Sequence, residues 1–296
     1  MTDYAEEDVG NIILLEHVNV QVPDQLLATL FYVVGLGFTR DPYLNFGLNN
    51  MWVNVGEQQF HLPTRPAQVI QGHIGLVVPD THALQDRLAS VQEGLRGTRF
   101  AWAKQEHAIE VSCPWGNKFR CYPPDSRFGD MGLGMPYVEF LVPPNAAEPI
   151  VNFYLKVLNA PAAVEVDDGE KVGRIKIGRN QALRFRETRK ALAAYDGHHV
   201  AVYVANFSRA YNLLRERRLI TEEVQNHQFR FKDIVDLDSG KPVFCLEHEV
   251  RSLHHPMFGR FFVNRNPGQS QRGYQRGRDA LHPAHPGGAT SIGLKN

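Results

Sequence analysis

The sequence predicts an α+β protein built from four consecutive units, each a strand, a helix and then further strands. Three observations carry this. A half-buried strand ending in polar or proline punctuation recurs four times, at His17, His73, Tyr137 and His199. These starts are 56, 64 and 62 residues apart, too long a period for an ordinary solenoid. Each is followed by a run with helical periodicity and then by strand-like runs, so strand and helix preferences alternate consistently along the chain.

In the first unit, EHVNVQVPD places Val18, Val20 and Val22 on one face and His17, Asn19 and Gln21 on the other. Asp24 then caps a helix whose apolar stripe is Leu26, Leu27, Leu30, Phe31 and Val34, ended by Gly35 and Gly37. After the loop TRDPYLNFG come the strands MWVNVG and EQQFHL. The second unit opens with HIGLVVPD and a helix marked by Leu84, Leu88 and Val91. It closes on CPWGNKFRCY, where Lys118, Arg120 and Tyr122 share one strand face and Phe119 and Cys121 the other. The third runs from YVEFLV, with Asn145 as the expected cap and Ile150, Phe153, Tyr154 and Leu158 as the apolar side of its helix. HVAVYV opens the fourth, with Asn206 or Ser208 to cap its helix.

A unit of this kind covers one sheet face with its helix and leaves the other bare. Two units side by side curve their bare faces around a shared cavity, and the same face offers a homodimer contact. Units one and two are expected to form one domain over 12–128 and units three and four a second, more divergent one over 134–265. The Gly/Asp/Ser-rich link DSRFGDMGLG lies between them. Residues 266–296 have almost no aliphatic periodicity and read as a flexible tail.

Lys plus Arg and Asp plus Glu are both 32, so nothing in the net charge favours nucleic acid or another polyanion. No signal peptide or membrane-length apolar run is present, and the three cysteines have no metal-type spacing. A cytoplasmic protein with a small-molecule partner is the expectation. GLGF is not a dinucleotide loop, and no GKS or GKT phosphate loop occurs. Cys113 and Cys121 read as structural.

HVNVQVPD with FYVVGLGFTRDP, GEQQFHL, GHIGLVVPD and CPWGNKFRCY resemble the vicinal oxygen chelate superfamily, which includes glyoxalases, extradiol ring-cleaving dioxygenases and bleomycin resistance proteins. YVEFLV, VNFYLKVLNA and HVAVYV extend the resemblance, more loosely, through residue 265. It implies two glyoxalase/extradiol dioxygenase-like domains, each of two paired βαβββ units with a divalent metal in the cavity between them. The ligands come from the first and last strands of each unit. Those positions fall on His17, His61 and His73. The fourth, commonly a glutamate, falls on Arg120, which cannot ligate a metal and whose fixed charge opposes one. In the second half the positions fall on Tyr137 and His199 and, by approximate register, on Leu183 and Phe262. Glu247, His248 and Glu249 read as an exposed charged segment, His248 on the face opposite the two glutamates.

Strand alternation also puts Glu57, Gln59 and His61 on one face, and His17 and His73 opposite the apolar rows. Three imidazoles from three strands are a ligand set for Fe(II), Mn(II), Ni(II) or Zn(II). The other reading of the same residues is a polar cleft without metal. Two functions follow. One is a metal-dependent oxidoreductase of dioxygenase type, a lyase or an isomerase, acting on a small oxygenated, anionic molecule. In it Gln59 orients substrate or water, Arg120 selects the anionic group and Glu57 is the candidate acid or base. The other is a non-catalytic small-molecule or protein-interaction module with a degenerate metal site, its entrance formed by Tyr43, Phe46 and Trp52. Arg40, Asp41, Tyr43 and Asn45 are expected at the mouth of the first cavity, or in a turn fixed by Asp41 and Pro42.

Overall fold

The structure, a computed structural model, describes residues 4–45, 47–224, 227–260 and 262; Phe46 and the expected tail 266–296 lie outside them. The four units are all present. Unit one contains β1 (Ile12–Asn19), α1 (Gln25–Ala28, continuing in wider π-helical turns over Thr29–Gly35), β2 (Thr39–Asn45), β3 (Asn50–Val55) and β4 (Gln58–Pro63). In unit two these are β5 (Gly72–Val77), α2 (Thr81–Ser90), β6 (Ala101–Lys104), β7 (Ile109–Ser112) and β8 (Lys118–Tyr122). Unit three follows with β9 (Gly134–Val142), α3 (Ala147–Phe153, continuing as π-turns over Tyr154–Leu158), β10 (Ala162–Asp167), β11 (Glu170–Lys176) and β12 (Ala182–Glu187). Unit four is β13 (His199–Val204), α4 (Phe207–Glu216), β14 (Ile220–Val224), β15 (Gln228–Val235) and β16 (Pro242–Ser252).

The helix starts follow the sequence with one exception. The Asp24 carboxylate accepts the amides of Leu26 and Leu27 and Asn206 caps α4, as expected, and Asp80, not singled out in the sequence, caps α2 in the same way as Asp24. Asn145 is not the cap of α3. It sits in the left-handed region with φ 66°, and Ala147 N–H donates instead to Glu187 at 3.0 Å. Leu26 and Val34 are exposed, and the buried face of the first helix runs through Phe31 and Tyr32.

The strands form two eight-stranded sheets, ordered β14-β15-β16-β13-β1-β4-β3-β2 and β10-β11-β12-β9-β5-β8-β7-β6. The pairing therefore differs from the expected one. Unit one shares a sheet with unit four, and unit two shares a sheet with unit three. The physical reason is the core. The helix of unit one packs on that of unit two, and the helix of unit three on that of unit four. The apolar faces of both sheets meet these helices from either side: Phe60 of the first sheet and Phe119 of the second lie 5.8 Å apart, with Phe31 and Tyr32 against them. Neighbouring units thus stand back to back rather than edge to edge, and the helices lie between the sheets.

Two crossovers carry the chain from one sheet to the other, and they hold each other. Gln68 Nε2 donates to Asp196 O at 2.8 Å, Val69 N to the Asp196 carboxylate at 2.6 Å, and Gln71 exchanges two bonds with the backbone of Ala193. The link 125–134 joins β8 to β9 inside the second sheet. With the apolar faces spent on the shared core, the polar face of each sheet, its cup, lies on the side away from that core.

Candidate metal centre

In the first cup, His17 on β1, His61 on β4 and His199 on β13 converge, with one ligand nitrogen from each lying within 4.8 Å of the others. The ladders explain why. His17 pairs with Gln59 and Asn19 with His61 across the parallel β1-β4 edge, while Asn19 pairs with His199 across the antiparallel β1-β13 edge. All three imidazoles are buried or nearly so, and Trp52 backs them, stacked on His61 at 4.0 Å and edge-on to His17 at 4.8 Å.

A register shift between Leu15 and His17 alters the alternation of β1 and brings Glu16 to the His17 ring. Glu16 Oε2 lies 2.5 Å from His17 Nδ1 and accepts Arg251 Nη1 at 2.7 Å. Burial alone would raise the Glu16 carboxyl; Arg251 and His17 outweigh it and hold the group well below the usual carboxylate range. An ionised carboxylate only accepts, so Nδ1 of His17 is the donor and Nε2 is the ring nitrogen left for other partners. That Nε2, and the Nε2 of His199, are buried without a hydrogen-bond partner among the described residues. His61 and His199 are held well below the ordinary imidazole range, first by burial and then by the charge of His17. Buried ring nitrogens left without partners and converging from three strands fit a divalent cation.

Applied to unit four, the offset that leads from His17 to His61 leads from His199, which pairs with Glu247, to Glu249. Glu249 is buried, its Oε2 lies 3.7 Å from His199 Nε2, and Arg230 and Arg251 both ion-pair with it. Burial would raise Glu249, but the two arginines and His17 bring it below its ordinary value. The segment around it is buried, not an exposed charged stretch. His248 does face the other way, stacked on Phe231 at 4.4 Å and accepting the Tyr154 hydroxyl.

His73 is not part of this set. It belongs to β5 of the other sheet, with Nε2 3.0 Å from the Tyr137 hydroxyl and Nδ1 3.4 Å from Glu139. Arg120 is also in the second sheet, half exposed and paired with Glu110 at 3.2 Å, so it does not oppose a cation at the first. Glu57 is exposed in the turn between β3 and β4 and joins neither cup's cluster. Gln59 does lie in the first cup but is fully engaged: it donates to Asp41 at 2.7 Å and Asn54 at 2.6 Å, and accepts Arg260 at 3.2 Å. Phe262 packs under the Arg260 guanidinium and Leu183 is in the core, so neither is the last-strand position; those are Glu249 and Arg184.

His199 was visible in the sequence as a first-strand histidine but looked alone, because its partners lie in unit one. Glu16 was hidden by the bulge. Asp41, read as a mouth or turn residue, does both: it caps Tyr43 and Leu44 amides at 2.9 Å and accepts Arg260 at 2.7 Å.

No protein-family model matches the chain, and no curated protein sequence matches it. Solved structures do. Glyoxalase I from Zea mays superposes with a TM-score of 0.56 at 12% identity, covering 84% of this chain and 94% of its own. A provisionally assigned dioxygenase from Bacillus subtilis gives 0.55 at 13% identity, covering 88% and 89%. The chain has the vicinal oxygen chelate fold. At these identities the likeness establishes the fold alone, and the chemistry rests on the residues of the cup. No described helix is long and apolar enough to cross a membrane.

Proposed function

We propose that the first cup is the centre of a metal-dependent enzyme acting on a small molecule that presents neighbouring oxygen atoms. The observation that carries this is the convergence of three imidazoles, two with buried unpartnered Nε2 atoms, on one point. His17, His61 and His199 would hold the ion, which supplies Lewis acidity toward substrate oxygens when bound. Glu16 fixes the His17 tautomer, and Arg251 keeps Glu16 ionised. Glu249 is the carboxylate placed to complete the ligand set or to take a proton from substrate. Trp52 holds His61 by stacking and offers the cup an apolar wall. The glyoxalase I and dioxygenase structures that share the fold favour isomerase or oxygenase chemistry over others.

The burial of the cup favours a second reading, a module that sequesters its ligand without turnover. Arg260, in the segment after β16, spans Asp41 and Gln59 and is itself buried. The two readings separate in one assay. Protein stripped of metal and reloaded with Fe(II), Mn(II), Ni(II) or Zn(II) is given catechols under oxygen and the glutathione hemithioacetal of methylglyoxal. Metal-dependent turnover of either supports the enzyme; tight binding of such compounds with no turnover under any metal supports the module.

A further inference from the structure

The second cup repeats the first in register and replaces its chemistry. Gly75 pairs with Arg120 and with Tyr137, as Asn19 pairs with His61 and His199, and Glu139 pairs with Arg184 as Ala201 pairs with Glu249. The four positions that read His17, His61, His199 and Glu249 in one cup therefore read His73, Arg120, Tyr137 and Arg184 in the other. All four line one cavity of about 920 Å³, the size of a small-molecule site.

We propose that this second cup binds a small organic anion, a carboxylate or phosphate carried on a flat apolar body. Three features argue for it. The cavity lining carries six cationic side chains and four carboxylates, with Arg120 and Arg127 paired to Glu110 and Asp125 outside the lining. Glu139 and Asp167 are each already shared by Arg184 and Arg186. Arg174 has no ion-pair partner among the described residues, and it lies directly opposite Arg184 across β11 and β12. Like charges facing each other across a ladder destabilise it, and a bound oxyanion between two guanidiniums removes that repulsion.

The neutral part of the site fits the body of such a ligand. Tyr122 and Phe128 pack at 5.1 Å as an aromatic wall, with Tyr137 hydrogen-bonded to Tyr122 at 2.9 Å. Arg184 lies over the Tyr137 ring at 5.5 Å. Tyr137 can lie across β5 only because position 75 is glycine: a Cβ there would meet its ring at 2.4 Å. The His73 ring lies between the Tyr137 hydroxyl, 3.0 Å from Nε2, and Glu139, 3.4 Å from Nδ1.

Isothermal titration of the full chain with phenyl phosphate and with benzoate, against neutral benzyl alcohol, tests the proposal. Saturable binding of at least one anion at one site per chain is expected, with no binding of the alcohol. Arg120→Gln combined with Arg174→Gln, both at exposed side chains, is expected to weaken it at least tenfold, whereas His61→Ala in the first cup leaves it unchanged. Absence of binding of both anions, equal affinity in the double variant, or loss in His61→Ala would each overturn it. Because His61→Ala is the control, failure here is separate from failure of the metal reading.

Discussion

The two cups are the same backbone carrying opposite chemistry. Each presents four side chains at matched ladder positions, two from the first strands of its units and two from the last. In the sheet of units one and four these are three imidazoles and a carboxylate; in the sheet of units two and three they are one imidazole, a phenol and two guanidiniums. The fold decides where the functional groups stand. The residues at those positions decide whether a cation or an anion is welcome.

The comparison extends one step along the last strands, where Arg251 and Arg186 occupy equivalent places. Arg251 is buried between Glu16 and Glu249, whereas Arg186 shares Glu139 with Arg184 and reaches the more exposed Asp167. Removing a buried charge strands its partners, at a cost of about 3–5 kcal/mol. Arg251→Met is therefore expected to lower the stability of metal-free protein by about that much, and Arg186→Met by roughly half, because Arg184 still neutralises Glu139. Urea unfolding of both variants measures this, and equal losses would remove the claimed asymmetry.

Glu16→Gln sharpens the comparison on the metal side. It keeps the volume but gives His17 Nδ1 a weaker acceptor, and changes of this kind weaken metal binding by roughly 10–100-fold. Competition with a chromophoric chelator reads the affinity directly. An unchanged value would mean that Glu16 does not fix the imidazole.

The pH-dependent effect belongs to His73. Burial is the largest influence on it, opposed by Glu139, and leaves its pKa at about 4. The unfolded ring titrates near 6.5, so the unfolded state binds the extra proton first. The stability this neutral ring contributes is complete above about pH 6.5 and is lost as pH falls toward 4. At pH 5 the loss is about 2 kcal/mol. His73→Gln should show a correspondingly shallower decline than wild type in urea midpoints between pH 7.5 and 5. Parallel declines would place His73 in a solvated environment instead.

Much of the fold was legible because it is written in local patterns. The four strand starts, the Asp24 cap and the polar face carrying His17 and His61 depend on neighbours within a few residues. Pairing between units is not local. Unit four is remote from unit one in sequence, and only the packing of the helices into one core sets them edge to edge. That is why His73 took the place belonging to His199. Glu16 was invisible for another reason, since one inserted residue reverses strand alternation. Glu249 was misread because charged residues are rarely buried unless paired, and its partner Arg230 lies on a strand whose register the sequence did not fix in advance.

The central claim is that the metal belongs to the pairing of units one and four. Metal-to-protein ratios after reconstitution with Fe(II), Mn(II), Ni(II) or Zn(II) in wild type, His199→Ala and His73→Ala test it most directly. The structure predicts one ion per chain in wild type and in His73→Ala, with sharp loss in His199→Ala. Retention in His199→Ala with loss in His73→Ala, or no stoichiometric metal in wild type, would contradict it.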